Sequence, residues 1–197
     1  FCVGGDGTLR ASRDIAAECR RRNLAISVMG IPKTIDNDLN FVGRSFGFET
    51  AVAETVAILR SAHVEAKSVS NGIGLVRLMG RDSGFIAAYA TIANPIVNFC
   101  LIPEMEEFEL RGERGLLTAL ERRFASGKDH AVIVVAEGAG QHLIHDEPER
   151  RDASGNVIKK DIGEFLNRTI ANHFKQQGRD VSMKYYDPSY SIRSVPA

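Results

Sequence analysis

The chain has 197 residues, 44% of them hydrophobic, with 25 basic residues balanced by 25 acidic ones. This is enough for the core of one large domain, or of one and a half smaller ones, and the zero net charge excludes a basic field that would recruit nucleic acid or an anionic membrane surface. No apolar run is long enough to span a bilayer, no secretory-signal pattern is seen, and Cys2, Cys19 and Cys100 stand apart without metal-ligand spacing, which predicts a soluble protein of a reduced compartment, cytoplasmic or organellar.

In chain order, Phe1-Cys2-Val3 reads as the end of a buried strand, and Gly4-Gly5-Asp6-Gly7-Thr8 leads into a helix over Leu9 to Arg22. The apolar run Ala25 to Met29 predicts a second strand, which Pro32 helps to end. A helix follows from about Thr50 to Glu65, with Val52, Val56 and Leu59 on one face, then a strand over Ile73 to Met79 and a helix over Ser83 to Ala93. Next come a strand over Phe99 to Ile102, a helix over Gly115 to Phe124 and a strongly β-branched strand over His130 to Ala136. The stretch Gln141 to Lys160 is polar, with a turn expected at Ser154-Gly155-Asn156, before a helix over Ile162 to Gln176 and a strand over Val181 to Tyr186. The alternation predicts an α/β fold, doubly wound, with a mostly parallel sheet and helices on both faces. Opening on a half-strand without Met and closing just after a motif-like loop, the chain is expected to be a fragment.

In such a sheet ligands bind beyond the carboxyl ends of strands, so motifs that follow strands share one address. Glycines 5 and 7 let a phosphate approach the backbone, and the helix start behind them offers unpaired N–H groups and the positive end of its dipole. Thr8 can cap that helix or bond a phosphate. Asp6 suits a magnesium ion carried by a nucleotide, which needs one or two carboxylates. In Gly-Ile-Pro-Lys-Thr-Ile-Asp-Asn-Asp, residues 30–38, two carboxylates two positions apart raise each other's proton affinity, which suits one of them to act as a base. The bland alternative is a set of side-chain-to-backbone turn bonds. After the third strand, Gly80 permits close approach and Arg81 can clamp a phosphoryl group. Glu137 follows the fifth strand, placed to bond a polyol, and Tyr190 and Arg193 follow the last, able to meet a second phosphate.

Taken together, GGDGT, PKTIDND, MGRDSGF, the Ala-Glu-Gly after the fifth strand and YSIR make the chain resemble the 6-phosphofructokinases over most of its length. The likeness is to the longer branch found in plants, trypanosomatids and some bacteria, in which ATP-using and pyrophosphate-using members are close relatives. The resemblance implies phosphorylation of fructose 6-phosphate at its 1-hydroxyl, with ATP as donor, Mg2+ as cofactor and a homo-oligomer, by resemblance a tetramer, as the assembly. Asp36 would be the base. Asp6 would help hold magnesium, Gly5, Gly7 and Thr8 would contact donor phosphates, and Thr34, Ile35 and Asp36 would face the sugar and the transferred group. Met79, Gly80 and Arg81 would line the sugar site, Arg81 also neutralising transition-state charge. Glu137 would bond sugar hydroxyls, and Tyr190, Ser191, Ile192 and Arg193, joined by Lys184, would grip the 6-phosphate. Residues 1–136 would be the donor-side lobe and 137–197 the start of the sugar-phosphate lobe. The family's earlier glycine-rich loop, which completes the donor pocket, has no counterpart here, so the isolated fragment is expected to be inactive.

Donor choice turns on residues 7 and 33. Pyrophosphate users of the family usually carry an aspartate in place of the last glycine of the first motif and a lysine before Thr-Ile-Asp. Gly7 leaves room for the α-phosphate and nucleoside of ATP, whereas Lys33 follows the pyrophosphate pattern. Gly7 decides for ATP, because a lysine near terminal phosphates attracts either donor; a pyrophosphate-dependent enzyme is the alternative. NAD kinases and lipid kinases carry a GGDGT-like string too, but not the later motifs. A non-catalytic regulatory subunit is a further alternative, disfavoured by intact Asp6, Asp36 and Arg81.

Overall fold

The two most apolar strands organise the molecule. In β3 (Gly72–Leu78) and β5 (His130–Ala136), paired in parallel from Gly72↔His130 to Leu78↔Ala136, successive side chains point to opposite faces, and both faces are buried. Ile73, Leu75, Ala131, Ile133 and Val135 face one apolar cluster, with Leu117 and Phe124 of α4 (Leu116–Ala125) and Leu166 and Phe174 of α5 (Ile162–Gln176). Val76, Leu78, Val134 and Ala136 face another, with Leu59 and Ala62 of α2 (Phe48–Lys67) and Ile86 and Ala90 of α3 (Phe85–Ala93). The computed structural model, which describes residues 1–105, 108–145, 148, 150, 151, 155 and 157–196, therefore has helices on both faces of a parallel sheet. Its order is β4-β5-β3-β8, with β4 at Phe99–Leu101 and β8 at Ser182–Tyr186. Contact between α2 and β3 is close: a Cβ on Gly74 would lie 2.8 Å from the Ala62 carbonyl oxygen.

The expected α/β, doubly wound, mostly parallel class is thus observed, with two differences in detail. A separate parallel pair is formed by β1 (Cys2–Gly4), which leads into α1 (Asp6–Arg21), and β2 (Gly30–Pro32). The strand expected at Ala25 to Met29 lies one step later. Ile26 and Met29 are 59% and 58% exposed, so this run is not the buried strand its hydropathy suggests, and Gly30–Pro32 makes the ladder instead. Pro32 costs little at the strand end. Secondly, the segment after β8 is not only loop: Ser189–Arg193 is a short helix, α6, started by Asp187, whose Oδ1 accepts from the Ser189 N–H and hydroxyl.

β6 (Arg150–Arg151) and β7 (Val157–Ile158) pair antiparallel across the turn expected at Ser154-Gly155-Asn156, of which only Gly155 is among the described residues. Strand β8, from the second stretch of the sequence, pairs with β3 from the first, so residues on either side of 136/137 share one sheet. No helix among the described residues is long and apolar enough to cross a membrane.

Candidate active site

The carboxyl ends of β1, β2 and β3 open into a cleft of about 1090 Å³. The β1–β2 ladder sets two motifs side by side: Gly4 pairs with Pro32, and the Lys33 N–H donates to the Gly4 carbonyl at 2.8 Å. Gly5, Asp6, Gly7 and Thr8 form the start of α1 on one wall, and Lys33, Thr34, Ile35 and Asp36 follow β2 on the next. The first main-chain bond of α1 runs from Leu9 N to Gly5 O at 3.0 Å, and no side chain caps the helix. The preceding N–H groups have no partner within the helix, and with the dipole they make an electropositive floor. A Cβ on Gly7 would meet nothing within 4 Å among the described residues, which leave this wall open.

Asp36 is held by its backbone and left unpartnered at its carboxylate. Its N–H donates to Thr34 Oγ1 at 3.1 Å, the Thr34 hydroxyl turns to Asp38 Oδ1 at 3.2 Å, and the Ser83 hydroxyl donates to the Asp36 carbonyl at 3.0 Å. Asn37 adopts a φ of +57° and accepts from the Ser45 N–H at 2.8 Å, which fixes the turn. The Asp36 Oδ1 atom is enclosed and has no hydrogen-bond partner among the described residues. Burial, then the charges of Asp38 and Glu137, push this carboxyl from its ordinary 3.8 to about 6, against the pull of Arg81 and Arg193. An unpaired carboxyl poised near neutrality can take a proton from a bound hydroxyl.

Met79 and Arg81 reach the same cleft after β3, and Arg193 reaches it from α6. The turn at Gly80 and Arg81 departs from ordinary strand or helix geometry, with φ of +150° and +53°. A Cβ on Gly80 would lie 2.3 Å from the Ser83 carbonyl oxygen. Glu137, after β5, holds this turn through one carboxylate oxygen, which accepts from the N–H groups of Arg81 at 2.7 Å and Gly80 at 3.1 Å.

The remaining expected site residues are placed elsewhere. Gly80 and Glu137 support the cleft wall and do not line the cleft. Tyr190 is 81% exposed, with the Arg193 guanidinium 5.8 Å from its ring centre, and Ser191 is exposed beside it. Ile192 is a core residue, packed with the α2 and α3 cluster and 3% exposed. Lys184 lies 3.9 Å from Glu65 and outside the cleft, because β8 directs it toward α2. Conversely, Arg10, Asp82, Arg151 and Lys159 line the cleft without having been singled out. Lys159 pairs with Asp82, and Arg151 donates to the Gly155 carbonyl at 3.0 Å. The signal for Arg151 and Lys159 was the basic content of the polar stretch before α5, which has no fixed motif to give its register, whereas Asp82 lies within MGRDSGF and Arg10 one turn into α1.

The sequence profile described as Phosphofructokinase matches residues 1–189. The chain belongs to the phosphofructokinase family. Among relatives of this family, the ATP-dependent 6-phosphofructokinase of Borreliella burgdorferi is 52% identical over all of this chain and 45% of its own length. The ATP-dependent 6-phosphofructokinase 7 of Arabidopsis thaliana is also 52% identical, over all of this chain and 41% of its own length. The chain thus spans less than half the length of these curated relatives. In fold it is similar to the pyrophosphate-dependent phosphofructokinase from Marinobacter aquaeolei, with a TM-score of 0.65 at 20% identity, covering 98% of this chain and 44% of that one.

This membership sets aside the NAD kinase and lipid kinase alternatives. For magnesium, the start of α1 in the phosphofructokinase cleft offers one carboxylate, that of Asp6, exposed and 2.5 Å from Arg10. No cluster of three or more metal-ligating side chains is found among the described residues. One carboxylate facing a phosphate floor fits an ion that arrives with the nucleotide, most of its ligands being phosphate oxygens and water.

Proposed function

We propose that the full-length protein is an ATP-dependent 6-phosphofructokinase, transferring the terminal phosphoryl group of ATP to the 1-hydroxyl of fructose 6-phosphate. The observation that carries this reading is Asp36: an unpartnered carboxylate, raised to about 6, in the cleft that also receives the start of α1, Arg81 and Arg193. The names of the 52% identical relatives support the same donor and acceptor.

In this reading Asp36 takes the proton of the sugar 1-hydroxyl as its oxygen bonds to the terminal phosphorus, and the bond from that phosphorus to the β-phosphate oxygen breaks, leaving ADP. Such transfers rest mainly on positioning and charge stabilisation. The N–H groups of Gly5, Gly7 and Thr8 hold donor phosphates, while Lys33 adds charge; Asp6 would hold a magnesium ion carried by the nucleotide, which would neutralise phosphate charge. Arg81 offsets charge on the transferring group, and Thr34 and Met79 fix the sugar. Arg193 binds the 6-phosphate, with Tyr190 and Ser191 at its margin. Residues 1–136 then supply the donor side together with the groups around the reacting hydroxyl, and 137–197 begin the part that holds the 6-phosphate. The free cysteines fit a cytoplasmic setting, and a homo-oligomer is the proposed assembly.

The test is fructose 1,6-bisphosphate formation by the full-length protein with magnesium and either ATP or pyrophosphate. Product with ATP supports the proposal. Product with pyrophosphate alone reassigns the donor, and none with either leaves a regulatory subunit.

A further inference from the structure

Arg77 lies next to the cleft but not in its lining, and no motif drew attention to it. It belongs to β3, on the face that carries Ile73 and Leu75, and only 14% of its side chain is exposed. A buried guanidinium needs partners, and three carboxylates from three different segments meet it. Its Nη2 hydrogen-bonds to Asp187 after β8, whereas Glu137 after β5, 3.5 Å from Nη1, and Asp161, the cap of α5, 3.8 Å from Nε, meet it as ion pairs; Nε itself has no hydrogen-bond partner among the described residues.

Two of these carboxylates hold backbone that carries a cleft arginine. The other oxygen of Glu137 accepts from the N–H groups of Gly80 and Arg81, and so fixes a non-glycine residue at a φ of +53°. The other oxygen of Asp187 accepts from Ser189 N–H at 3.2 Å and Ser189 Oγ at 2.6 Å, which starts the helix ending in Arg193. The third, Asp161, accepts from the Glu164 N–H and from the Tyr185 hydroxyl at 2.9 Å. From one buried position, the guanidinium thus reaches both loops whose arginines enter the cleft, by a hydrogen bond to Asp187 and by an ion pair to Glu137.

We propose that Arg77 is a positioning residue that sets Arg81 and Arg193 together in the cleft through Glu137 and Asp187. This rests on the reading of the cleft as a phosphofructokinase site, but its physical content is a coupling of two loops, which is measurable without turnover. Lysine at this position keeps the charge and loses the fork, because it presents one centre where arginine presents several in a plane. Methionine keeps most of the volume and loses both.

The experiment compares full-length wild type with Arg77→Lys and Arg77→Met by amide hydrogen exchange over residues 79–83 and 187–193, and by steady-state kinetics. Expected are exchange at least tenfold faster in both segments of Arg77→Met, without change in α1, and a KM for fructose 6-phosphate raised 10-fold or more with the KM for ATP within twofold. Arg77→Lys should fall between the two. Losing Arg77 also leaves Glu137 uncompensated. Asp36 is faced by Asp38, Glu137, Arg81 and Arg193, so the acid limb of the rate profile should move to higher pH in Arg77→Met, a change that looser packing alone does not produce. If Arg77→Met does not fold, Arg77→Lys carries the same comparison. Unchanged exchange in both segments overturns the proposal whatever the activity, as does faster exchange in one segment only. Absence of turnover in wild type overturns the kinase reading alone, and the exchange result still decides the coupling.

Discussion

The Ser83 hydroxyl donates to the main-chain carbonyl of Asp36 at 3.0 Å, so the loop after β3 carries the loop after β2. Ser83 is 4% exposed and its oxygen also accepts from the Phe85 N–H at 3.3 Å, which makes it a buried junction between the candidate base and the start of α3. Ser83→Ala is expected to lower stability by about 1–2 kcal/mol, the cost of leaving buried partners unmet. The kcat should fall several-fold, since the Asp36 backbone loses a restraint. Denaturant unfolding and steady-state rates on the same preparation check both. Wild-type kcat in a destabilised variant would assign Ser83 to stability alone.

Asp36→Asn separates activity from stability in opposite directions. The base is ionised only above its pKa, so wild-type activity should fall as pH drops through about 6, and Asp36→Asn should lower kcat by about 10²–10⁴. The linkage sign is the reverse of that for a salt-bridged aspartate. With the folded value raised from 3.8 to about 6, the folded state binds the proton more tightly than the unfolded one. The ionised group therefore destabilises the fold above about 6, and this penalty fades as pH falls to 3.8. Its upper size is about 3 kcal/mol. Asp36→Asn should therefore be more stable than wild type at pH 7 and equal to it near pH 3.5. A variant that is less stable at pH 7 would contradict the raised value.

What the sequence made legible were the features set by local pattern. Continuous apolar runs gave β3 and β5 because both faces of these strands are buried, and the motifs fell beyond strand ends because that is where a parallel sheet leaves its loops. The Ala25 to Met29 run misled because hydropathy reports a tendency to be buried, whereas strand pairing is decided by what lies alongside, and Cys2 lies beside Gly30. Ile192 was expected in the site as part of the YSIR string, and Lys184 as a further grip on the 6-phosphate. A helical turn instead points Ile192 into the core, and the alternation of β8 sends Lys184 to Glu65. Arg77 was passed over because a cation inside an apolar strand has no local signature. Its meaning comes from Glu137, Asp161 and Asp187, each distant from it in sequence.

Arg193 reaches the cleft from the last turn of α6, its guanidinium 5.8 Å from the exposed Tyr190 ring. A cation held there serves a phosphate that does not react, so its contribution should be nearly the same in the ground and transition states. Arg193→Ala is expected to raise the KM for fructose 6-phosphate by about 10–100-fold, the worth of one charged hydrogen bond, with a much smaller change in kcat. Tyr190→Ala should change it less than threefold if the ring only borders the site. An unchanged KM in Arg193→Ala would remove Arg193 from sugar-phosphate binding.

The packing of α2 on β3 gives a test of the scaffold apart from chemistry. A Cβ at Gly74 would sit 2.8 Å from the Ala62 carbonyl oxygen, a backbone atom that no rotamer change can move. Gly74→Ala should therefore destabilise by about 1–3 kcal/mol through overpacking. Thermal unfolding checks it, and a melting temperature at or above that of wild type would mean that the helix can lift from the sheet at little cost.

Gly7 offers the sharpest test of donor choice, because space and charge can be changed there without disturbing the fold. A Cβ at this position meets nothing within 4 Å among the described residues, and the residue lies in the first turn of α1, where a carboxylate is favoured by the helix dipole. Gly7→Asp should leave the melting temperature unchanged or slightly raised, so any loss of activity cannot be ascribed to unfolding. The added carboxylate would stand beside Asp6 on the phosphate floor and repel the α-phosphate of ATP. The KM for ATP should rise about 10-fold or more, on the scale of one unfavourable close charge, while pyrophosphate, which has no α-phosphate or nucleoside to place there, should lose less. Parallel assays with the two donors decide the matter. An unchanged KM for ATP in Gly7→Asp would show that the nucleotide does not pass over this wall, and Lys33 would then be the better guide to the donor.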